Sequence, residues 1–364
     1  MDATLSNFSE QVARARATGR PLVVRGGGTR LFYGSPLPPE DSFDWLDMSG
    51  YSGVVHYEPT ELVLTARAGT PLAEIETLLA SRGQMLAFEP PRFGPADTFG
   101  GCVATGLSGP RRMASGPLSD FVLGCRLLNA DGKVLHFGGE VMKNVAGYDV
   151  SRLLAGSLGA LGPLLEISIK VAPRPRCEAT CMLDLDEQSA LAACLDWRAK
   201  PIPVSATAWM TDPNGAGGRL SVRLSGNESA VRDGMSAIGG ERLAEADAGA
   251  FWRNLRDQTH DAFRARPLWR VTLPAGAPPL AQGTLLDEWG GSLRWLDGAT
   301  DAAALRARVR AMGGFACLYR RDGIPDEVPT FDPLAPALLE IHQRLKREFD
   351  PDAIFNRGRT YPEF

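Results

Sequence analysis

The stretch Val23-Val24-Arg25-Gly26-Gly27-Gly28-Thr29-Arg30-Leu31 has three consecutive glycines directly after a short apolar run. Because glycine has no side chain, this segment can turn through conformations that other residues avoid, and its peptide N–H groups stay uncovered. Successive uncovered N–H groups form a concave donor surface that suits a phosphate or pyrophosphate. A plain surface turn would explain the same triplet, so its interpretation depends on the segments that come after it in the chain.

Two more glycine-rich segments lie downstream. Residues 95–106 read Pro-Ala-Asp-Thr-Phe-Gly-Gly-Cys-Val-Ala-Thr-Gly, and residues 147–162 contain Gly-Tyr-Asp-Val and then Gly-Ser-Leu-Gly-Ala-Leu-Gly. Each segment lies beside a predicted strand or helix end, so the three loops together predict one extended ligand that contacts several stretches of backbone. A nicotinamide-binding Rossmann site fits poorly, because it needs Gly-x-Gly-x-x-Gly between a strand and a helix. Here the first glycines are contiguous and no helix comes directly after them.

The composition is that of an ordinary globular protein, with 364 residues, 44% hydrophobic and 23% charged, and a formal net charge of −4. This length predicts two or three domains, or one large cofactor domain with an insertion. The net negative charge argues against a broad nucleic-acid-binding surface. No apolar run approaches the length of a membrane span, and the N-terminus lacks a secretory pattern, so we expect a cytoplasmic protein.

The cysteines and histidines form no local metal-binding motif. The six cysteines are scattered without a Cys-x-x-Cys pair, and the four histidines are far apart in the sequence. Iron–sulfur or zinc ligation by this chain is therefore not expected. We expect the cysteines to be reduced and mostly buried, and we predict no metal site.

The pattern of apolar residues predicts two domains and a closing segment. Residues 1–174 combine helices with short strands, and the step Pro173-Arg174-Pro175 is the best domain boundary. Residues 175–335 alternate strands and helices as in an antiparallel α+β domain built from split βαβ units of the ferredoxin-like type. Residues 336–364 begin with an amphipathic helical pattern. The glycine-rich region 94–116 is predicted to be irregular.

The order Arg-Gly-Gly-Gly-Thr, Pro-Ala-x-Thr-x-Gly-Gly and Gly-Tyr-Asp-x-x-x-Leu-x-x-Gly-Ser-x-Gly resembles the FAD-binding domain of the vanillyl-alcohol-oxidase (PCMH) type, over about residues 20–175. A closer resemblance is to the FAD-binding subunits of bacterial glycolate oxidase (glycolate dehydrogenase). The segments Lys143–Val150, Glu288–Leu296 and Phe349–Arg359 carry it over nearly the whole chain. It implies an α+β fold in which a PCMH-type domain of two α+β subdomains carries an antiparallel α+β cap, and the C-terminal segment returns to the FAD domain.

The resemblance also implies roles for individual residues in holding FAD. The first loop would wrap the pyrophosphate with backbone N–H groups, with the Thr29 hydroxyl as a further donor. The second loop would pass close to the pyrophosphate and the flavin, and the third would line the ribityl and adenosine side. The predicted cofactor-binding residues are Arg25, Gly26, Gly27, Gly28, Thr29, Arg30, Leu31, Pro95, Thr98, Gly100, Gly101, Ala104, Thr105, Gly106, Gly156, Leu158, Gly159, Leu161, Leu164 and Asn356.

The chain departs from the wider family at two places. Many members attach FAD covalently through a histidine in the first glycine loop, where this chain has Thr29, so we expect non-covalent FAD. Related 2-hydroxy-acid dehydrogenases carry a metal-binding histidine group and a catalytic histidine, whereas His260 and His342 are isolated here. Oxidation of a 2-hydroxy acid needs a base for the hydroxyl proton and a cation for the carboxylate. The catalytic residue is left unassigned, with Arg357 and His342 as candidates.

The function that the resemblance implies is that of an FAD subunit in a hetero-oligomeric glycolate oxidase. This chain would relay electrons among partners that include a larger FAD subunit and an iron–sulfur subunit, and would reach the inner membrane only through them. Two alternatives stay open: a self-sufficient FAD-dependent dehydrogenase of glycolate or D-lactate, and a non-catalytic scaffold subunit. A UDP-sugar reductase of the same fold is disfavoured, because Lys143–Val150 and Glu288–Leu296 are not expected there.

Overall fold

The computed structural model describes residues 3–139, 149–212, 217–280, 283–298 and 301–364. Helices occur along the whole of this described chain. The α-helices are α1 (Ala3–Thr18), α2 (Leu72–Ala80), α3 (Phe99–Thr105), α4 (Arg112–Ser115), α5 (Val150–Leu154), α6 (Glu187–Arg198), α7 (Glu228–Ile238), α8 (Glu245–Arg256), α9 (Ala302–Ala311) and α10 (Pro336–Phe349). Within these described ranges, no helix has the length and apolar character that crossing a membrane requires.

The strands form two small and two larger sheets in the described part of the chain. They are β1 (Leu22–Arg25), β2 (Asp44–Asp47), β3 (Val54–Glu58), β4 (Val63–Arg67), β5 (Gln84–Met85), β6 (Val122–Leu128), β7 (Val134–Gly138), β8 (Leu164–Lys170), β9 (Ala172–Pro173), β10 (Cys177–Asp184), β11 (Val204–Thr211), β12 (Gly218–Gly226), β13 (Glu241–Arg242), β14 (Leu268–Thr272), β15 (Thr284–Glu288), β16 (Leu293–Asp297) and β17 (Phe315–Arg320). The larger sheets are antiparallel throughout and are accompanied by helices, which confirms the predicted α+β class.

The first small sheet joins distant parts of the sequence. Strand β1 pairs in parallel with β2, and Leu22 forms an additional parallel bridge with Phe355. Helix α1 covers this sheet, because Phe8 and Val12 recur at helical spacing and pack in the same buried cluster as Leu22 and Phe355. This shared core fixes the end of β1 at Arg25, where the glycine loop begins.

The five-stranded sheet has the order β3-β4-β8-β6-β7, with every neighbouring pair antiparallel. Strands β6 and β7 form an antiparallel hairpin at one edge of this sheet. Helices α2 and α3 pack in one buried cluster with the sheet, through residues such as Leu72, Ile75, Phe99 and Val103. This sheet and the β1–β2 sheet together make up the first domain, and they hold the second glycine-rich segment beside the first.

The second glycine-rich segment is more regular than predicted. Residues 94–116 were expected to be irregular, but they contain α3 and α4. Helix α3 begins at the N-cap Thr98 and ends at Gly106, which has the left-handed φ of 64° that glycine adopts readily at helix ends. The glycines that lowered the helical signal have a packing role, because a Cβ on Gly100 would lie 2.6 Å from the Cβ of Ala68.

The third segment is only partly described. Gly147 and Tyr148 and most of the motif Lys143–Val150 lie outside the described residues. Its continuation begins at Asp149, whose side chain caps α5 by accepting a hydrogen bond from the Arg152 amide. Residues 156–162 then lead into β8 with left-handed φ at Gly156, Leu158 and Gly159, among others.

The eight-stranded sheet forms the cap domain and has the order β13-β10-β12-β11-β15-β16-β14-β17. In chain order, its first strand is β10, which comes a few residues after β8, the last strand of the five-stranded sheet. The first four strands, with α6 and α7, have the split βαβ order of a ferredoxin-like unit, and the last four strands repeat that order in reverse along the sheet. All described pairs in this sheet are antiparallel, as predicted.

The cap domain packs directly against the first domain. Tyr33, Leu107 and Leu158 from the first domain share a buried cluster with cap residues such as Trp252 and Trp295. The indole Nε1 of Trp289 in the cap donates a hydrogen bond of 3.0 Å to the carbonyl oxygen of Gly109. The backbone that comes after the first glycine loop therefore lies at the boundary between the two domains.

Candidate cofactor site

A cleft opens beside the first glycine loop, where β1 ends. All three glycine-rich segments and the C-terminal segment contribute to its wall. The lining residues are Val23, Val24, Arg25, Gly26, Gly27, Gly28, Thr29, Arg30, Leu31, Tyr33, Asp97, Thr98, Gly101, Ala104, Thr105, Leu158, Asn356 and Arg359. The structure therefore brings the predicted segments together, although they are far apart in the sequence.

The glycine loop lies flat on the backbone of the second segment. A Cβ on Gly27 would overlap the carbonyl oxygen of Ala96, and a Cβ on Gly26 would overlap the hydroxyl oxygen of Thr98. Gly28 has a φ of 73°, a conformation that is costly for a residue with a side chain. Each of the three glycines is therefore required by the local geometry.

The loop leaves its amides available to a ligand. Within the described residues, the backbone N–H groups of Gly26–Arg30 have no hydrogen-bond partner. The first amides of α3 are occupied, because Phe99 donates to Thr70 and Gly100 donates to Ala68, at 2.8 Å and 2.7 Å. Residues Gly26–Thr29 are half-buried. Their successive free N–H groups form a donor surface in which an anion fits.

A buried ion pair holds the loop in position. The Arg30 guanidinium donates to both carboxylate oxygens of Asp97, at 2.7 Å and 2.6 Å, and both side chains are almost fully buried. The Thr29 hydroxyl also donates to Asp97, at 3.1 Å. The sequence predicts that the Thr29 hydroxyl donates to the pyrophosphate. In the structure it donates to Asp97 instead, so it is not a free donor for a ligand. Asp97 was not predicted from the sequence; it occupies the unassigned position in Pro-Ala-x-Thr.

Asn356 connects the C-terminal segment to the cleft. Its side-chain oxygen accepts a hydrogen bond of 2.7 Å from the Val24 amide, and its side-chain nitrogen donates to the Leu158 carbonyl. A Cβ on Gly159 would lie 2.8 Å from that nitrogen. Asn356 thus joins the end of β1 to the third loop, and its amide positions backbone that lines the cleft.

The cation of the closing segment is Arg359, whereas Arg357 was the candidate from the sequence. Arg359 is buried and donates to the carbonyl oxygens of Leu31, Tyr33 and Ser35. No carboxylate of the described residues lies within ion-pair distance of it, and burial lowers the pKa of its guanidinium to about 10. Arg357 is exposed and does not line the cleft. Nothing in the sequence separates the two arginines, because only the backbone turn decides which one points inward.

The remaining predicted residues lie around the cleft without lining it. Leu161 and Leu164 are in the core of the five-stranded sheet, and Pro95 is exposed. Backbone bonds from Gly156 to Val103 and from Leu158 to Ala104 join the third loop to α3. Gly100 and Gly106 allow close backbone approach, Gly159 leaves room for the Asn356 side chain, and Gly156 has a left-handed φ. None of these four glycines lines the cleft.

His342 is remote from the cleft lining. It lies on α10, where its Nδ1 is 2.8 Å from the Leu338 carbonyl oxygen. Its ring packs against Tyr361 and Phe364. The environment of His342 is therefore a structural one at the C-terminus, and its candidacy as a catalytic residue finds no support in its position.

A second buried ion pair shapes the closing segment. The Lys346 ammonium donates to Asp350 at 2.7 Å and to the carbonyl oxygens of Ala160 and Phe355 at 2.6 Å and 2.9 Å. Asp350 in turn accepts hydrogen bonds from the amides of Ile354 and Phe355. This network turns the chain after α10 and places Asn356 against β1, which gives the motif Phe349–Arg359 its structural role.

The motif Glu288–Leu296 lies where the cap meets the first domain. The Glu288 carboxylate is buried and accepts a hydrogen bond of 2.8 Å from Nε1 of Trp295. Burial raises the pKa of Glu288 to about 7. The guanidinium groups of Arg112 and Arg270 lie 4.3 Å and 5.4 Å from the centre of the neighbouring Trp289 ring. This motif therefore serves the packing between the domains.

The buried Glu288 is expected to make stability depend on pH. Its pKa is about 7 in the folded protein against an ordinary value of 4.5, so between these values the folded state holds a proton that the unfolded state has released. The free energy of unfolding therefore falls as pH rises through this window and levels off above it. In urea unfolding, the free energy of unfolding should fall less between pH 5 and pH 8 for Glu288→Gln than for the wild type. Equal losses in the two proteins would contradict this, and the exposed Glu245→Gln serves as the control.

The residues of the cleft fit FAD. The free amides of Gly26–Arg30 suit the pyrophosphate, and the buried guanidinium of Arg359 provides a positive charge that no carboxylate of the described residues neutralises. An anion placed there would accept hydrogen bonds from the backbone amides of Gly26–Arg30, which otherwise have no partner among the described residues. The glycine loop excludes side chains from the space that such a group would occupy.

Comparison with known proteins agrees with this site. Residues 3–138 match the family model described as FAD binding domain. The chain is 43% identical to glycolate oxidase subunit GlcE of Escherichia coli (strain K12), over 97% of this chain and 96% of that protein. It is 30% identical to glycolate oxidase subunit GlcD of Bacillus subtilis (strain 168), over 44% of this chain and 34% of that protein. A solved alkyldihydroxyacetonephosphate synthase is similar in fold, with a TM-score of 0.64, 16% identity, and coverage of 95% of this chain and 74% of that chain.

The fold and the cleft define a flavoprotein of the FAD-binding-domain class, and the family match confirms FAD as the expected cofactor. The similarity over almost the full length of both chains then settles the family. This chain belongs to the family of glycolate oxidase subunit GlcE, which confirms the resemblance found from the motifs. The fold similarity to the synthase extends over both domains and adds no information about activity.

Proposed function

We propose that this chain is the FAD-binding subunit of a multi-subunit glycolate oxidase, in which it holds FAD and relays electrons to partner subunits. The observation that carries the proposal is the similarity to GlcE over nearly the whole chain. The cleft supports it, because its amides and Arg359 suit the pyrophosphate of FAD. The FAD-dependent oxidation of a 2-hydroxy acid is the reaction that the complex would perform, with glycolate as the substrate.

The residues of the cleft have distinct tasks in this proposal. The amides of Gly26–Arg30 bind the pyrophosphate, and Arg359 balances its charge while fixing the adjoining loop. Asp97 keeps Arg30 and Thr29 in place beneath the loop, and Asn356 joins β1 to the third loop. When bound, FAD accepts electrons from a donor and passes them on. The protein contributes binding and orientation to that chemistry.

FAD is held without a covalent bond in this proposal. The position at which many relatives of the wider family carry a tethering histidine is Thr29, whose hydroxyl is bonded to Asp97. Denaturation of the yellow holoprotein should therefore release all of its flavin into the supernatant. Flavin that stays with the precipitated chain would contradict a non-covalent site.

The relay role is supported by the partners of the charged side chains in the cleft, because these side chains bind other parts of the protein. Arg25 pairs with Asp47 at the surface, and Arg30 pairs with Asp97 in the interior. Arg359 donates to three backbone carbonyls. Because these groups are engaged in holding the loops, substrate oxidation fits better on a larger FAD subunit, with an iron–sulfur subunit as a further electron carrier. The complex would lie in the cytoplasm and reach the inner membrane through those partners.

A second candidate function, independent oxidation of a 2-hydroxy acid, is favoured by one observation. A cavity of about 420 Å³ adjoins the cleft, and Leu31 lines both. Arg320 on its wall lies 3.3 Å from the centre of the Phe32 ring, and no carboxylate of the described chain pairs with it. Such a guanidinium can bind a substrate carboxylate through two hydrogen bonds.

Anaerobic addition of glycolate to the FAD-loaded chain separates the two functions. For a relay subunit, we expect the flavin absorbance to persist until the partner subunits are added. Bleaching of the isolated chain, abolished in Arg320→Gln and kept in the exposed control Arg264→Gln, would instead select independent oxidation. A flavin that stays oxidised with glycolate and all partners present would refute both.

A further inference from the structure

A larger cavity, separate from the cofactor cleft and from the cavity beside Arg320, lies between the two domains on the side of α2 and α8. Its volume is about 1230 Å³. The first domain contributes Glu76 and Glu89, and the cap domain contributes residues of β10, β12 and α8. Eight arginines line it together with four glutamates, which gives this arginine cleft an excess of positive charge in a chain whose net charge is −4.

The floor of the arginine cleft is a closed network of ion pairs. Glu89 accepts hydrogen bonds from the guanidinium groups of Arg111 and Arg223, at 3.2 Å and 2.8 Å, and Arg111 also pairs with Glu178 at 2.5 Å. The two arginine side chains are less than 10% exposed. Arg256 is held by Asp257 at 2.8 Å. The floor is therefore balanced in charge and joins the two domains, so it offers little capacity for a further anion.

The rim of the arginine cleft carries the unbalanced charge. Arg174, Arg176, Arg242 and Arg253 line the cavity and are exposed. In the described part of the chain, no carboxylate lies within ion-pair distance of any of them. Arg174 and Arg176 alternate with Pro173 and Pro175 in the segment that connects the domains, and proline restricts the backbone that presents them. The rim therefore carries four arginines without a carboxylate partner among the described residues, and two of them lie on a backbone segment that proline restricts.

The volume of the arginine cleft and the position of its free charges favour an acidic protein segment over a small-molecule anion. Small-molecule sites are mostly apolar and enclose about 300–1,000 Å³, whereas this cavity is larger and its free charges lie at an exposed rim. Guanidinium groups bind carboxylates in a bidentate manner, and arginine is enriched at protein interfaces. We propose that the arginine cleft docks an acidic, extended segment of a partner subunit. The proposal rests on the proposed function, which gives this chain such partners.

The first test measures binding of a fluorescein-labelled poly-glutamate peptide to the FAD-loaded chain by anisotropy. We expect saturable binding that weakens with added salt. Reversal of the four rim charges should weaken binding by roughly tenfold or more, whereas reversal of four exposed arginines elsewhere should leave it within about twofold. The cleft variant is Arg174→Glu/Arg176→Glu/Arg242→Glu/Arg253→Glu, and the control variant is Arg14→Glu/Arg219→Glu/Arg232→Glu/Arg264→Glu. Equal weakening in both variants would overturn the proposal.

The second test co-expresses each variant with the other subunits of its oxidase and monitors assembly by size-exclusion chromatography. Loss of assembly in the cleft variant, with the control variant still assembled, supports the proposal. Normal assembly of the cleft variant overturns it, as does binding of inorganic pyrophosphate at the rim without binding of the peptide. FAD content and unfolding temperature are measured for both variants, so that a folding defect is recognised. Failure of the wild type to assemble would refute the proposed function, while the peptide titration still tests the cleft.

Discussion

Gly27→Ala is expected to yield a folded chain that has lost its FAD. The added Cβ would overlap the Ala96 carbonyl oxygen, so the loop must move away from the second glycine-rich segment. Overpacking of this kind costs about 1–3 kcal/mol, and the displacement turns the free amides of Gly26–Arg30 away from the pyrophosphate. We expect FAD affinity to fall by roughly a hundredfold or more, the equivalent of at least about 2.7 kcal/mol. Flavin absorbance per chain after desalting measures the loss.

Two further variants make this result interpretable. Gly50→Ala adds a Cβ that meets no atom within 4 Å and needs no left-handed φ, so it should retain stoichiometric FAD. Gly28→Ala has space for its Cβ but must keep a φ of 73°, which costs on the order of 1 kcal/mol, so it should bind FAD more weakly without a large loss of stability. If Gly27→Ala kept its flavin at full stoichiometry, the glycine loop would not be the pyrophosphate site.

Lys346→Met removes a single charge, and we expect it to destabilise the protein strongly. It leaves Asp350 buried without its cation, and breaking such a buried pair costs roughly 3–5 kcal/mol. The carbonyl oxygens of Ala160 and Phe355 also lose a donor. Because this network turns the chain toward Asn356, we expect FAD to dissociate before the domains unfold. Thermal unfolding, monitored by flavin fluorescence and by circular dichroism, should show two separated transitions.

The chain contains a matched control for this experiment. Asp196 in the last turn of α6 and Lys200 just beyond its end form an ion pair with the same four-residue spacing, at 2.5 Å, but both side chains are more than half exposed. Exposed pairs of this kind contribute about 0–1 kcal/mol, so Lys200→Met should be nearly neutral in stability and FAD content. Similar destabilisation in both variants would show that burial of the Lys346 pair has no special importance.

The sequence was sufficient to predict the parts of the site that depend on backbone. Gly26–Gly28 and the segment around Thr98 are recognisable in combination, because three glycine-rich segments in this order match the family motif, whereas the triplet alone also fits a surface turn. The antiparallel cap could also be predicted, because its strands alternate and its helices have an apolar face. The positions of these segments relative to one another come from the family resemblance, and not from any local pattern.

Other parts of the site could not be predicted, for physical reasons that differ from residue to residue. Asp97 and Arg30 are far apart in the sequence, and a charge pair leaves no periodic signal. Arg359 and Arg357 are both arginines near the same turn, and only the turn geometry buries the former. Helix α3 was missed because Gly100 and Gly101 lower helical propensity, whereas the close approach of Ala68 requires the first of them.

The bond between the Val24 amide and Asn356 joins residues that are 332 positions apart in the chain. While the protein is being synthesised, the glycine loop leaves the ribosome long before the segment that completes its cleft. A chain whose Asn356 segment has not yet docked lacks the bonds that join β1 to the third loop, so we expect it to retain FAD only weakly. Contacts of such sequence separation also slow folding, because the entropy of closing a long loop is lost before the contact is gained. Retention of the flavin would then report that the Asn356 segment has docked against β1.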